Sequence, residues 1–325
     1  MRNFDKDIKQ FGYIKEDVFV DDIKAEIIKI KKEKNAIIMA HFYQIPEIQD
    51  IADFRGDSLA LSQKAAETDA DIIVFCGVHF MAETAKIISP QKKVILPDMF
   101  AGCSLADGCS YEQLYDLKKK YPEHIVITYI NSSALVKTIS DIICTSSNAV
   151  EVVNSVPKDK KIIFAPDRNL GAWVKQKTGR DMVIYDGSCE VHDILKIESI
   201  INLKTKHKDA KLIAHPECKA VILELADFVG STTSLLTYTQ KDTAQKYIVA
   251  TETGIIHQMK LKSPEKEFIV VPTDETCSCN DCSFMKQNTL EKLYICMKYE
   301  KPEIILDNNI LEKAKLPIIR MLNIK

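Results

Sequence analysis

Three cysteines, Cys103, Cys189 and Cys282, each follow an apolar, strand-like run, in VILPDMFAGC, MVIYDGSC and FIVVPTDETCSCNDC, at steps of 86 and 93 residues. Thiolates bind zinc and iron–sulfur clusters, so a recurring thiol points to one metal site assembled from copies of a unit. Three thiolates at one point leave a cluster one ligand short, and an open position is what Lewis-acid catalysis needs. The segment Cys277-Ser-Cys279-Asn-Asp-Cys282 is also a metal-type cluster by itself, with zinc as the simple alternative. Cys76, Cys144 and Cys296 lie in apolar stretches and read as core side chains; Cys109, without a counterpart in the other copies, is a spare ligand at most.

Other polar positions keep the same beat. KNAIIMAHFYQIPE, EHIVITYINSSA and KLIAHPECKA place His41, Tyr129 and His215 at steps of 88 and 86 residues, with Tyr43, Asn131 and Glu217 two residues further on. His41, Tyr43, His215 and Glu217 are of the types that exchange protons within hydrogen-bond reach. IADFRGDSLAL, ISDIICTSSNAV and LADFVGSTTSL bring Ser58, Ser146 and Thr232 into register, each ahead of a helical run, where an N-cap is expected. Three helix starts meeting at one cavity would bind anions without Lys or Arg. His192, three residues after Cys189, is placed to support a cluster ligand from behind. For Asp167-Arg168-Asn169 two readings stay open, a substrate contact and an ion pair joining two copies.

The elements that must position these residues follow from the apolar pattern. Each copy contains four short runs rich in Ile and Val, alternating with segments of helical period such as SLALSQKAAET and SSNAVEVVNSV. Continuous apolar runs joined by helical crossovers imply a parallel sheet buried on both faces. The expected fold is α/β: three homologous three-layer α/β/α domains with short parallel sheets in pseudo-threefold arrangement. Their expected spans are 22–104, 105–190 and 191–283, after a polar lead-in and before C-terminal helices (284–325) packing on the repeats. Ligands of such sheets collect beyond the carboxyl ends of the strands, where the thiols and polar residues fall, so one shared cavity is expected.

The chain has 325 residues, 28% of them charged, with a formal net charge of −2. That balance carries no basic field for nucleic acid. The N-terminus lacks the apolar core of a signal peptide and no run approaches the roughly 18 apolar residues of a membrane span, so a cytoplasmic location is expected. Ten cysteines in a reducing compartment are thiols or metal ligands before they are disulfides.

Taken together, AHFYQIPEIQDIADFRGDSLAL, ICTSSNAVEVV, FAPDRNLG, AHPEC, ADFVGST, TETGIIH and CSFMKQNTLE resemble the quinolinate synthase family, from about residue 22 to the C-terminus. The resemblance implies a 4Fe-4S enzyme of NAD biosynthesis that condenses iminoaspartate with dihydroxyacetone phosphate to quinolinate, phosphate and water. It implies Cys103, Cys189 and Cys282 as cluster ligands, with one iron open as a Lewis acid. It implies a cavity over the cluster lined by His41, Tyr43, Ser58, Tyr129, Asn131, Ser146, His192, His215, Glu217, Ser231 and Thr232. Functional coupling to an aspartate-oxidising enzyme, the source of iminoaspartate, is a further expectation. One departure is the CxCxxC spacing, where some members carry CxxCxxC with a redox role for its first two cysteines; Cys277 and Cys279 leave that role in doubt. Two other classes use the same thiols: an iron–sulfur sensor or electron carrier, and a different 4Fe-4S hydro-lyase.

Overall fold

The computed structural model describes residues 3–273 and 280–324. Twelve strands form three four-stranded sheets, all parallel. The first holds β1 (Ala36–His41), β2 (Phe54–Gly56), β3 (Ile72–Cys76) and β4 (Lys93–Ile95). The second holds β5 (Ile125–Tyr129), β6 (Ile142–Cys144), β7 (Ile162–Ala165) and β8 (Met182–Ile184). The third holds β9 (Lys211–Ala214), β10 (Phe228–Val229), β11 (Lys246–Ala250) and β12 (Glu267–Val270). Helices alternate with the strands throughout, giving three α/β/α domains. The central strands β3 and β7 are buried along their whole length, as Ile- and Val-rich runs between two helical layers must be.

All three sheets share one order, with the second strand outside the first and the third and fourth on its other side: β2-β1-β3-β4, β6-β5-β7-β8 and β10-β9-β11-β12. Strand order therefore reverses between the first and third strands of every sheet, and a crevice opens at their carboxyl ends. The registers reproduce the sequence repeat residue by residue. His41 is opposite Gly56 and Tyr129 is opposite Cys144, while Ala214 opposite Val229 puts His215 level with Gly230. A second signature marks the same beat. Asp53, Asp141 and Asp227 each accept the backbone N–H of the neighbouring first strand, from Ile38, Val126 and Leu212, at 2.8, 2.8 and 2.7 Å.

The copies are joined at their helix starts. Asp57 caps the helix Ser58–Glu67 by accepting the Ala60 N–H at 3.1 Å, and its other oxygen accepts the Ser147 hydroxyl at 2.8 Å and the Ser231 hydroxyl at 3.3 Å. Ser147 precedes the helix Ala149–Ser155 and Ser231 caps Thr232–Lys241, so one buried carboxylate gathers matching corners of all three domains. Of the C-terminal helices, Leu290–Tyr299 packs on the helix Ile23–Glu33 and Asn308–Leu322 packs along β6. The first of them starts later than SFMKQNTLEKLYICMKYE suggests: Thr289 is its N-cap, and the residues before it form a 3-10 turn at Met285–Gln287.

Asp57→Ala removes a cap and two hydrogen bonds to its carboxylate, and leaves the half-buried Ser147 and the buried Ser231 hydroxyls without that acceptor. A loss of about 2–4 kcal/mol is expected from such groups, readable as a lower denaturant midpoint at unchanged slope.

Candidate active site

The strand ends of all three domains open onto one cavity. Its wall takes His41, Tyr43 and Ser58 from the first domain, Tyr129, Asn131 and Ser146 from the second, and His215, Glu217 and Thr232 from the third, together with His192, Cys103, Cys189 and Cys282. Every residue expected there is present except Ser231, whose hydroxyl is engaged with Asp57, with Ser234 Oγ at 3.1 Å and with the Ser234 N–H. Cys76, Cys144 and Cys296 are core side chains, as their apolar surroundings indicate. Cys109 is buried with Leu114, Val126 and Val136, away from the cavity wall. Cys277 and Cys279 lie outside the described residues.

The donor set could hold a metal. Among the described residues the one group with all ligand atoms within 4.8 Å of one another is Cys189, His192 and Glu217. Cys103 and Cys282 stand on the same cavity wall as this group. Burial pushes the Cys103 thiol up to about 12, Cys282 to about 11 and Cys189 well above its usual range. Thiols in such a pocket stay protonated until a metal takes the proton's place.

A chain of hydrogen bonds crosses the cavity wall. Thr232 Oγ1 donates to the Tyr43 hydroxyl at 3.0 Å; Tyr43 meets Thr251 Oγ1 at 2.8 Å; Thr251 meets His192 Nε2 at 2.9 Å. His192 Nδ1 in turn lies 3.2 Å from Cys189 Sγ and 3.0 Å from Glu217 Oε2, which places it behind a thiol as the spacing suggested. Glu217 Oε2 also lies 3.2 Å from His215 Nδ1, and His215 Nε2 lies 3.2 Å from Ser146 Oγ. Burial alone would push Glu217 up, but His215 and His192 outweigh it and hold the carboxylate well below its usual range. Burial raises both Tyr43 and Tyr129 well above the phenol range, keeping them as O–H donors.

His41 Nδ1 accepts the Tyr43 N–H at 3.1 Å, so the neutral ring carries its proton on Nε2. Among the described residues, three buried acceptors in this region have no hydrogen-bond partner: Asn131 Oδ1, Glu217 Oε1 and Asp167 Oδ2. Asp167 is fully buried and caps Arg168–Thr178, with Oδ1 accepting the Leu170 N–H at 2.7 Å. Arg168 faces outward, pairing with Asp186 at 3.0 Å and Asp193 at 3.3 Å. Of the two readings of that segment, the geometry favours the ion pair.

The expected N-caps are displaced. Asp57, Asn148 and Ser231 occupy the cap positions, so Ser58 and Thr232 are the first residues inside their helices and Ser146 lies two residues before Asn148. The reason is local chemistry: Asp57 and Ser231 accept from the third residue along, while Asn148 Oδ1 folds back onto the Thr145 N–H at 2.8 Å. The hydroxyls of Ser58, Ser146 and Thr232 are thereby free of capping and stand on the cavity wall.

Cys282 arrives on a strap that crosses to the first domain. Its N–H donates to Glu252 Oε1 at 3.1 Å; that oxygen also takes Lys286 Nζ at 2.7 Å, and Lys286 donates to the Tyr43 carbonyl at 2.6 Å. Gln44 Nε2 donates to the Met285 carbonyl at 3.0 Å and Asn288 Nδ2 to the Gly77 carbonyl at 2.8 Å. Gly254 completes the seam: a Cβ there would sit 2.7 Å from Tyr43 Cα. The strap brings Phe284 and Met285 to the cavity, so the C-terminal segment does more than pack on the repeats.

Thr251 and Glu252 were not picked out from the sequence, although TETGIIH belongs to the repeat. The signal was there. The residues two beyond the third strand of each sheet are Val78, Asp167 and Glu252, and two of the three are buried acids. The cysteines, by contrast, keep no fixed offset: they follow Ile95, Ile184 and Val270 by eight, five and twelve residues.

Residues 25–323 match the family model described as quinolinate synthetase A protein. The chain belongs to that family. It is 56% identical to the quinolinate synthase of Prochlorococcus marinus (strain MIT 9313) over 304 residues, covering 94% of this chain and 91% of that one. It is 58% identical to the quinolinate synthase of Microcystis aeruginosa (strain NIES-843 / IAM M-2473) over 302 residues, covering 93% and 95%. Membership of the quinolinate synthetase A family accords with three domains sharing one thiol-bearing cavity. Among the described residues no helix is long and apolar enough to cross a membrane.

Burial pulls the His41 pKa from 6.5 to about 4, against the pull of Asp57. Between those values the unfolded chain binds more protons than the folded one, so stability rises with pH through this window and is lost as pH falls. By pH 4 the loss reaches at most about 3 kcal/mol. Calorimetry from pH 7 to 4 should show a steep fall in Tm that is shallower in His41→Asn; parallel slopes would remove His41 as the cause.

Proposed function

We propose that this chain makes quinolinate from iminoaspartate and dihydroxyacetone phosphate, releasing phosphate and two waters, as an enzyme of NAD biosynthesis. The observation that carries the reading is the meeting of three thiols and the polar strand ends of all three domains at one cavity. Cys103, Cys189 and Cys282 would hold a 4Fe-4S cluster. Such a cluster with three protein thiolates supplies a Lewis-acidic iron for a poor leaving group.

The remaining chemistry belongs to the side chains. The substrates bring two carboxylates and a phosphate into a cavity whose wall has no Lys or Arg among the described residues. Hydroxyls and backbone N–H groups at helix starts must meet those charges. Ser58 and Thr232, first in their helices, and Ser146 are placed for this. Asn131 Oδ1, buried and without a partner among the described residues, accepts from a substrate N–H or O–H.

Carbon–carbon bond formation needs the enamine tautomer of iminoaspartate, and therefore a base that removes a proton from carbon. His215 fills that role, with the Glu217 carboxylate, 3.2 Å from its Nδ1, orienting the ring. Ring closure and dehydration need proton donors. Tyr43 and Tyr129, kept protonated by burial, serve here, and the Thr232–Tyr43–Thr251–His192 chain offers a route to redistribute the proton. Imines hydrolyse in water, so an aspartate-oxidising enzyme supplying iminoaspartate nearby is the natural functional partner. A sensor or electron carrier would have no use for this row of donors and acceptors.

Anaerobically purified protein should yield quinolinate from the two substrates and carry about four irons per chain. Cys189→Ala should lose iron, sulfide and activity together; a variant without iron that still makes quinolinate overturns the cluster assignment. Tyr129→Phe should keep its iron while kcat falls about 10²–10⁴-fold, the usual worth of a general acid.

A further inference from the structure

Lys137 is completely buried, yet its partners are backbone rather than a carboxylate: its ammonium donates to the carbonyls of Ile130, at 3.0 Å, and Ser132, and lies over the Phe80 ring at 5.5 Å. Enclosing a charge this way is costly, so the contacts it makes call for a purpose. The two carbonyls flank Asn131, the cavity-wall residue whose Oδ1 has no hydrogen-bond partner among the described residues.

The first domain solves the same problem with another residue. Gln49 stands 88 residues before Lys137, the repeat step that relates His41 to Tyr129. Its buried Nε2 donates to the carbonyls of Phe42, at 2.9 Å, and Gln44, at 2.8 Å, which flank Tyr43. Two different side chains at one repeat position thus grip the same pair of carbonyls. The third domain has Leu223 at this position. There Glu217 is fixed from elsewhere, by His192, His215 and a 3.0 Å hydrogen bond from Asn169 Nδ2 to its carbonyl.

We infer that Lys137 and Gln49 are positioning residues, each clamping the turn beyond the first strand of its sheet so that Asn131 and Tyr43 face the substrate in fixed geometry. A side chain on a turn gains precision only when its backbone is held from behind, and a displacement of about 1 Å costs on the order of 100-fold in rate. The donors matter, and the charge on Lys137 does not.

This inference rests on the reading of Asn131 as a site residue, and the experiment separates the two. The variants are Lys137→Leu, which copies the third domain; Lys137→Gln, which copies the first; Asn131→Ala; and Asn131→Ala with Lys137→Leu. Iron, sulfide, kcat and KM are measured for each. Lys137→Leu should lose about 100-fold in kcat/KM at parental iron content, and Lys137→Gln should recover to within about tenfold of the parent. In the Asn131→Ala background the Leu substitution should cost less than about threefold, because the group it positions is gone. Parental activity in Lys137→Leu, a loss undiminished in that background, or no recovery with Gln overturns the inference. Parental activity in Asn131→Ala instead overturns the reading of the site. Should Lys137→Leu fail to fold, Gln49→Leu in parent and Tyr43→Phe backgrounds decides by the same criteria; failure of both to fold assigns the pair to structure and overturns the positioning role.

Discussion

Asp57 is the interaction on which the rest of the molecule depends. No domain contains the site; each contributes a strand-end corner, and the corners are useful only while held together. A carboxylate of the first domain that accepts hydroxyls from the second and third, Ser147 and Ser231, does this at the place where the three meet. Its two oxygens let one side chain serve the cap and both neighbouring domains at once. It also places a negative charge beside a cavity proposed to receive anions, so the hydroxyls and helix starts around it must outweigh that charge over short distances.

The wall of the cavity is polar through neutral and paired groups rather than through bare cations. Tyrosines kept protonated by burial, a histidine pulled toward neutrality by burial and a carboxylate held low by flanking imidazoles line the wall together. Lys286 and Lys137 point donors at backbone carbonyls of the turns that carry Tyr43 and Asn131. Positive charge is spent here on holding the frame, leaving the substrate-facing surface to groups that can exchange protons.

Much of this could be read from the chain because the repeat is written in residues of two kinds. The Ile- and Val-rich runs specify strands by burial, and those appeared as twelve parallel strands with the register that His41, Tyr129 and His215 implied. The cavity members followed because strand-end position is counted along the chain. Caps did not follow so simply: Asp57 and Ser231 outcompete the neighbouring Ser58 and Thr232 through a one-residue difference in where the helix begins. The strap was hidden for another reason. Its bonds join Gln44 to Met285 and Lys286 to Tyr43, pairings more than two hundred residues apart that no local pattern encodes.

That strap has a consequence for how the protein comes into being. Two of the three thiols sit within the first 189 residues, but the third is at position 282 and is seated by contacts with the first domain. A ribosome-bound chain holding only its first two domains has an unfinished cavity with two thiols exposed to whatever metal or oxidant is present. A metal centre held by all three thiols, as proposed above, would be complete only once Cys282 is seated, when the strap meets the first domain.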